Sequence, residues 1–398
     1  KFSETKYISL FLNGMLMWVS LGLSFLTMFS ILAIINCQLA YSSFEKKDSS
    51  FKFDLEKELD PLGKLDKTFI PKKSIPENKM LSDYTVLLYM VGSDLEIDAN
   101  KDIKELINAS TLNKSNSVNI VLQTGGGRDL GINSTTNISS PVDFSTVKRH
   151  VISNGSITSN DIGLYNMGES STLSDFLYWA ALKYPAKNYV IILWDHGNGL
   201  NGFGKDMQFQ GDALDPLEMK MAFDWAYTLT GNPFELIGFD ACLMSSYEIA
   251  AYLYEYGDYL ISSQELEPPT GWDYYSIIEN LLINSNSSGL SIGKSIVDSY
   301  ASSNKNSGEK KSLTKNLNGY LNQGYTLSVI NLTKFPNLLN TFGLFTKGLE
   351  PEIYNLDSAM KFLKSVEQTE KYGVSSRGSS GMVDLYNLVT NLQKTFPE

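Results

Sequence analysis

The sequence predicts an α/β fold with a central, mainly parallel β-sheet covered by helices on both faces. Short, continuously apolar runs are typical of strands buried on both faces, and helix-like segments alternate with these runs. The chain has 398 residues, enough to bury a sizeable core. It is 42% hydrophobic and 19% charged, an ordinary balance for a globular protein.

An apolar segment near the N-terminus predicts a transmembrane helix that anchors the protein. Residues 7–44 contain no charge, and 8–35 are dense in Leu, Ile, Phe, Met and Val, which is long enough to span a bilayer. Lys1 and Lys6 precede the segment, so we expect the bulk of the chain to lie outside the cytoplasm. A cleaved signal that yields a secreted protein and a lipid anchor at Cys37 are the alternatives.

We divide the chain into three parts. Residues 1–44 form the anchor or signal segment, and 45–82 are rich in Lys, Asp, Glu, Ser and Pro and form a linker. Residues 83–398 form one domain. The first residue is Lys rather than Met, so we expect the N-terminus to be incomplete. Whether the natural chain continues beyond Glu398 stays open.

The predicted elements of the domain alternate along the chain. The strands cover 84–91, 118–122, 188–194, 235–239, 259–262 and 326–330. The helices cover 95–107, 173–181, 214–228, 244–256, 274–283, 289–304 and 356–372. The stretch 131–160 is rich in Ser, Thr and Asn and predicts loops or hairpins, with His150 at the surface.

Charge and cysteine content exclude several classes of function. The net charge of -11 argues against nucleic-acid binding, because nothing would neutralise the phosphates. Of the two cysteines, Cys37 ends the apolar segment, so Cys242 is alone in the rest of the chain. That part has no internal disulfide, and a zinc site built on several cysteines is excluded.

Two predicted strands end in rare reactive residues. His196 follows strand 188–194, and Cys242 follows strand 235–239. Sites in open parallel sheets form beyond the carboxyl ends of strands, and neighbouring strands lie about 5 Å apart. A thiol nucleophile and its base need this proximity, because an imidazolium lowers the thiol pKa. Against this, a lone Cys is usually a small buried hydrophobe, and the residues alone leave the two interpretations evenly balanced.

The surrounding residues suggest how such a site would work. The N–H groups of Gly197 and Cys242 form a candidate oxyanion hole. The helix predicted from Met244 would place its positive end near the thiolate. Asp195 could orient His196, although we do not count it as a third catalytic residue.

Both strand ends resemble those of the clostripain family of cysteine peptidases (peptidase family C11, caspase-like superfamily). The matching motifs are Leu-Trp-Asp-His-Gly-Asn-Gly at 193–199 and Ile-Gly-Phe-Asp-Ala-Cys-Leu-Met at 237–244. Further similar segments are 84–90, 94–96, 166–168, 184–186 and 265–274. The resemblance implies a caspase-like three-layer sandwich and a cysteine endopeptidase with a Cys242/His196 dyad. No cofactor is required.

The family favours Arg or Lys before the cut, so the resemblance implies protein or peptide substrates with basic residues. Asp240 matches the family's acidic residue two before the cysteine and would face the substrate cation; alternatively it only caps or braces the turn. Glu265, Glu267 and Asp273 would add negative charge.

Many relatives cut themselves in the loop after the histidine. Here the loop is 201–211, and Lys205 is its only basic residue. Some relatives need calcium, for which Asp206, Asp212 and Asp215 are candidates, although acidic loops are more often simply solvated.

Two other functions stay open. The same fold could serve as a catalytically silent surface binding protein, or as a hydrolase with another specificity. We expect a monomer, because the sequence shows no coiled coil.

Overall fold

The computed structural model describes most of the predicted domain. The described residues are 81–128, 140–231, 233–284, 287–306, 325–375 and 378–396. The predicted anchor at 1–44 and nearly all of the linker at 45–82 lie outside them. No helix in the described ranges combines the length and apolar character needed to cross a membrane.

An eight-stranded sheet forms the centre of the fold, in the order β10-β9-β8-β5-β1-β2-β3-β4. Its strands are β1 (Ser82–Ser93), β2 (Val118–Gly127), β3 (Val147–Ser153), β4 (Ser156–Gly163), β5 (Ala186–Trp194), β8 (Phe234–Asp240), β9 (Gly257–Ser262) and β10 (Ser328–Asn331). The inner strands β9, β8, β5, β1 and β2 pair in parallel. The edge strands pair antiparallel. The predicted α/β fold with a mainly parallel sheet is confirmed.

Helices cover both faces of this sheet. They are α1 (Glu96–Ser110), α2 (Ser170–Lys183), α3 (Pro216–Thr230), α4 (Tyr247–Leu253), α5 (Tyr274–Ile283) and α6 (Gly289–Asn306). Helices α2, α3 and α4 share one buried apolar cluster, and α1, α5 and α6 share another. The described part of the domain therefore has three layers.

The alternation of side chains in the inner strands produces the two clusters. In β1, Leu87 and Tyr89 belong to the first cluster, whereas Val86 and Leu88 belong to the second. Successive side chains of a strand point to opposite faces, so a strand covered on both sides must be apolar throughout. This is why the central strands were recognisable as continuous apolar runs.

The Ser/Thr/Asn-rich stretch contains the β3–β4 hairpin, which extends the sheet beside β2. His150 lies in β3 and is fully buried, so its predicted surface position is wrong. Its ring nitrogens contact Thr124 Oγ1 and Ser159 Oγ, each at 2.8 Å. His150 pairs with Leu122 of β2. Burial of the ring lowers the pKa of His150 to about 4.

Contacts along the chain separate the described residues into two compact units, those up to 340 and those from 341. Helix α7 (Phe335–Ile353) runs across the boundary. The second unit contains α8 (Leu356–Glu367), α9 (Leu385–Thr395) and a short hairpin of β11 (Val374–Ser375) and β12 (Gly378–Ser379). Ser365 in α8 and Thr395 in α9 hydrogen-bond through their hydroxyls at 2.8 Å. Whether 83–398 acts as one domain stays a prediction.

Candidate active site

The ends of β5 and β8 bring the two predicted reactive residues to the same edge of the sheet. These strands are parallel neighbours, and Trp194 pairs with Asp240. His196 and Cys242 each lie two residues beyond this pair. The N–H of Asp195 also donates to the Asp240 carbonyl at 3.4 Å. The structure thus places His196 and Cys242 on adjoining turns, which we call the histidine turn (195–199) and the cysteine turn (241–246).

The two turns are in direct contact at Gly197. A Cβ atom on this residue would lie 2.2 Å from the Cys242 carbonyl oxygen and 2.8 Å from Met244 Cγ. No side chain fits at the first distance, because the clash is with backbone. Glycine is therefore required at position 197 to let the histidine turn reach the cysteine turn.

The cysteine turn is held by the segment after β9. Leu243 has a φ of 63°, a conformation that is strained for a branched residue. Its N–H donates to the Glu265 carbonyl at 3.3 Å, and the Ser245 N–H donates to the Ser263 carbonyl at 2.8 Å. These two bonds keep Cys242 at the start of a sharp bend.

Helix α4 does not begin at Met244 as predicted. It begins at Tyr247, and Ser246 Oγ caps it by accepting from the Ile249 N–H at 3.2 Å. The left-handed residue Leu243 interrupts a helical path. The predicted stabilisation of a Cys242 thiolate by a helix starting at Met244 is therefore wrong.

Cys242 carries a free, half-buried thiol. The N–H of Glu267 donates to Sγ at 3.2 Å. Burial is the largest influence and raises the pKa of Cys242; the Glu267 N–H opposes this rise, and the nearby Asp240 adds to it. The thiol alone is thus poorly disposed to ionise, so a reactive thiolate would need a cation from elsewhere.

His196 remains accessible, with 41% of its side chain exposed. Its Nε2 lies 2.8 Å from Oδ1 of Asp94, which follows β1, the strand beside β5. The hydrogen bond to His196 is the main influence that lowers the pKa of Asp94. In the sequence, Asp94 stands out only as part of the opening motif. The signal for a role in the site is that an acidic residue directly follows a third buried strand.

Asp195 is turned away from the His196 ring. Its buried carboxylate accepts from Ser93 Oγ and from the Lys205 N–H, both at 2.7 Å. Burial raises the pKa of Asp195 to about 7. The residue connects the end of β1 to the strand after the histidine turn, and does not hydrogen-bond the imidazole in the described structure.

Asp240 lies buried beneath the cysteine turn. Its Oδ2 accepts from the Tyr274 hydroxyl at 2.8 Å and from the Trp272 N–H at 3.3 Å. Near it lies the carboxyl of Glu267, whose Oε2 accepts from Trp272 Nε1 at 3.2 Å. Burial, followed by the charge of Asp240, raises the pKa of Glu267 well above its usual range. Burial also raises the pKa of Asp240, to about 6, so burial opposes the ionisation of both carboxyls.

The other predicted acidic residues of the pocket are used locally. Glu265 Oε1 accepts from the Leu266 N–H at 2.9 Å. Asp273 caps α5 by accepting from the Ser276 N–H at 2.9 Å. In neither of these two contacts is the carboxylate of Glu265 or Asp273 bonded to Asp240 or Glu267.

The segment 201–211 belongs to a hairpin rather than to an open loop. It contains β6 (Phe203–Asp206), which pairs with β7 (Asp212–Leu214). Lys205 lies in β6 with an exposed side chain. Its N–H is the one bonded to Asp195.

The three predicted calcium ligands make separate contacts. Asp206 accepts from the Met167 N–H at 2.8 Å, Asp212 from Asn166 Nδ2 at 2.6 Å, and Asp215 from the Glu218 N–H at 2.7 Å. In the described part of the chain, no group of three or more His, Cys, Asp or Glu is arranged to hold a metal. A calcium requirement stays a prediction.

Comparison with known proteins identifies the family. The sequence profile of the clostripain family, peptidase family C11, matches residues 88–397. A secreted C11 cysteine protease from Bacteroides thetaiotaomicron, solved with an irreversible peptide inhibitor, is 20% identical with a TM-score of 0.56, covering 79% of this chain and 80% of its own. An inactive zymogen C11 protease from Parabacteroides distasonis is 15% identical with a TM-score of 0.52, covering 80% and 82%. No curated protein matches the chain.

The two solved structures share the fold, and the family profile spans far more than half of the chain. The resemblance of the two strand-end motifs is thereby confirmed at the level of the family. The chain belongs to the clostripain family, peptidase family C11, and is at that level a cysteine peptidase.

Proposed function

We propose that the protein is a cysteine endopeptidase in which Cys242 is the nucleophile and His196 its acid–base partner. The observation that carries the proposal is the contact of the two turns: Gly197, next to His196, lies against the carbonyl of Cys242. The contact gathers the groups that an acyl-transfer site needs, namely a thiol, an imidazole and backbone N–H groups.

The proposed reaction has two steps. His196 takes the proton of the Cys242 thiol, and the thiolate attacks the scissile carbonyl carbon. His196 then gives that proton to the leaving amine as the C–N bond breaks, which leaves a thioester on Cys242. Water, deprotonated by His196, attacks the thioester and releases the acid and the thiol.

Gly197 and Cys242 are our candidates for the oxyanion hole. Gly197 pairs with Phe203 in an isolated antiparallel bridge. The bonds that form it run from the Gly204 N–H to the His196 carbonyl at 2.9 Å and from the Asn198 N–H to the Gly202 carbonyl at 3.0 Å. Both bonds involve the residues on either side of Gly197, so the N–H of Gly197 itself is not used in the bridge. That N–H is a donor suited to a developing oxyanion.

We propose that the enzyme cleaves after Arg or Lys and that Asp240 supplies the charge that attracts the substrate cation. Asp240 and Glu267 lie near Cys242, and we infer that the pair keeps one negative charge on Asp240 and a proton on Glu267. One net charge in a buried site matches one substrate cation. Burial raises the pKa of Asp240 to about 6, and the Tyr274 and Trp272 hydrogen bonds oppose that rise by favouring its ionised form. The same bonds also brace the turn, so Asp240 would serve both roles that the sequence left open.

We further propose activation by cleavage after Lys205. The exposed Lys205 lies on the two-stranded β6–β7 sheet, which is separate from the main sheet. The next residue, Asp206, accepts a hydrogen bond from the Met167 N–H. A cut after Lys205 would therefore require this hairpin to open locally. We expect the wild-type chain to appear as two fragments by mass spectrometry, and both Cys242→Ala and Lys205→Ala to stay intact. Fragments in Cys242→Ala would assign the cut to another protease.

The site of action that we propose is outside the cytoplasm, at a membrane. The charge-free apolar segment at 7–44 supports this, as does the secreted protease among the related structures. We propose a monomer whose substrates are peptides or proteins with basic residues.

Hydrolysis of fluorogenic peptides ending in Arg, Lys, Asp or Leu tests the activity. The purified full chain is compared with Cys242→Ala, and Cys37→Ala serves as the matched control because Cys37 is the other cysteine. We expect cleavage after Arg and Lys that is lost only in Cys242→Ala. Cleavage after another residue would keep the dyad and discard the role of Asp240. No cleavage with calcium and reductant, and after nicking at Lys205, would favour the silent binding protein.

A further inference from the structure

Three neighbouring parallel strands, not two, deliver side chains to the proposed site. Strand β5 lies between β1 and β8 in the sheet, and Met90 of β1 pairs with Trp194 of β5. Asp94 follows the end of β1 as His196 follows the end of β5. Asp94 and His196 are thus brought together across 102 positions of sequence.

The chemistry of the contact defines which ring nitrogen carries the proton. The contact joins Nε2 of His196 to Oδ1 of Asp94 at 2.8 Å. An ionised carboxylate can only accept hydrogen bonds, so Nε2 must be the donor. In the neutral imidazole, Nδ1 then has a free lone pair and is the nitrogen able to take a proton.

The carboxylate of Asp94 is itself held in place. Ser93 Oγ contacts Asp94 Oδ1 at 3.3 Å and Asp195 Oδ1 at 2.7 Å. The Leu95 N–H donates to the Gly92 carbonyl at 2.7 Å, which closes the turn that carries Asp94. Of the charged groups near His196, Asp94 bonds the ring, whereas Asp195 interacts with the charge of His196 and with its backbone N–H.

We propose that Asp94 is a positioning residue for the peptidase reaction. It holds His196 in the tautomer protonated on Nε2, directs Nδ1 to the proton transfers with Cys242 and the leaving amine, and stabilises the imidazolium that forms between them. The proposal rests on the proposed function, since it assigns a role within that site. Orientation of a catalytic imidazole by a carboxylate acts on the chemical step, so kcat should respond and KM should not.

The variants Asp94→Asn and Asp94→Ala test this role. Asparagine can still accept from Nε2 without a charge, whereas alanine removes the acceptor. Asp83→Asn is the matched control: Asp83 lies at the other end of β1 and pairs with Lys187 at 2.7 Å. We expect kcat to fall about tenfold in Asp94→Asn and about 100-fold in Asp94→Ala, with KM within about twofold of wild type. Asp83→Asn should behave as wild type.

Two readouts do not depend on peptide cleavage. Long-range ¹H–¹⁵N spectra report the tautomer of His196, and the chain has only two histidines to assign. We expect the Nε2–H form in the wild type and a mixed population in Asp94→Ala. Alkylation of Cys242 by iodoacetamide at neutral pH should be about tenfold slower in Asp94→Ala, because less thiolate–imidazolium pair forms.

The outcomes separate this proposal from the proposed function. An unchanged tautomer in Asp94→Ala, or a kcat within about twofold of wild type, overturns the role of Asp94. A wild-type chain that cleaves nothing overturns the peptidase, whereas a tautomer change and slower alkylation in Asp94→Ala would still support the positioning of His196. Equal unfolding midpoints in urea for all variants exclude loss of folding as the cause.

Discussion

At the scale of single residues, the close contact at Gly197 makes the sharpest demand on the sequence. A methyl group there would meet the Cys242 carbonyl at 2.2 Å. We expect Gly197→Ala to force the two turns apart and to lower kcat/KM about 100-fold or more, because small displacements at a reacting centre have effects of that size. Steady-state kinetics on the best peptide measures this.

Gly348→Ala is the control for that substitution. A Cβ at Gly348 meets nothing within 4 Å, and Gly348 lies in helix α7, where alanine is favoured by about 1 kcal/mol. We expect unchanged kinetics and equal or greater stability. Near-normal activity of Gly197→Ala would show that the turns need not touch.

The inference that Glu267 holds the proton and Asp240 the charge predicts different effects of their amide variants. Glu267→Gln replaces a protonated carboxyl with a neutral group, so kcat/KM for an Arg substrate should stay within about threefold. Asp240→Asn removes the charge and should lower kcat/KM more than tenfold. The substrate cation would then be buried without a partner, which costs about 2–5 kcal/mol.

A citrulline peptide is the neutral control for this comparison, because it keeps the shape of arginine without its charge. The preference for Arg over citrulline should disappear in Asp240→Asn and persist in Glu267→Gln. Equal losses in both variants would contradict the assignment of the shared proton.

At the scale of elements, the capping of α3 shows how the structure uses an acidic cluster. The Asp215 carboxylate accepts from the Glu218 N–H at 2.7 Å, and Glu218 Oε2 accepts from the Asp215 N–H at 3.0 Å. This reciprocal capping box precedes Pro216 at the first helical position. A residue considered as a calcium ligand therefore has a structural role.

We expect Asp215→Ala to lower the free energy of unfolding by about 1 kcal/mol, the usual value of such a cap. Urea titration followed by circular dichroism measures it. Asp224→Ala is the matched control on the same helix, where Asp224 is exposed and lies 3.9 Å from Lys220; we expect a change below about 0.5 kcal/mol. A stable Asp215→Ala that instead loses a calcium-dependent rise in Tm would restore the calcium interpretation.

The predicted start of α4 is wrong because local backbone geometry overrides the apolar pattern. The run from Met244 has helical character, but Leu243 at φ 63° and the cap at Ser246 delay α4 to Tyr247. Hydrophobic periodicity does not reveal a single left-handed residue, so the start of this helix could not be predicted from it.

At the scale of the whole molecule, two buried ionisable groups link stability to pH with opposite signs. Burial raises the pKa of Asp195 from 3.8 to about 7, so the folded chain binds more protons between about pH 4 and 7 and loses stability as pH rises through that window. Burial lowers the pKa of His150 from 6.5 to about 4. There the unfolded chain binds more protons, so stability rises with pH from about 4 to 6.5.

The variants Asp195→Asn and His150→Gln remove these groups one at a time. Between pH 4.5 and 7.5, the stability of wild type relative to Asp195→Asn should fall, and that relative to His150→Gln should rise. Each slope has a ceiling of about 1.4 kcal/mol per pH unit. Urea unfolding at four pH values gives both slopes, and slopes of equal sign would refute the assignment.

The sequence by itself determined the layered α/β fold and the central strands, and it singled out the two candidate catalytic residues. Strands covered on both faces must be continuously apolar, and a chain with two cysteines and two histidines offers few candidates for a thiol–imidazole pair. These properties are local or compositional, so they can be read without knowing which strands are neighbours.

Only the tertiary structure decided which side chains meet. Asp94 reaches His196 because β1 lies beside β5, and His150 is buried because a hairpin extends the sheet. The Glu267 N–H reaches Cys242 Sγ because the segment after β9 folds against the cysteine turn. Strand order and long-range burial have no signature in the periodicity of one segment. The physical reason is that partner choice is settled by the packing of distant segments, which local patterns do not encode.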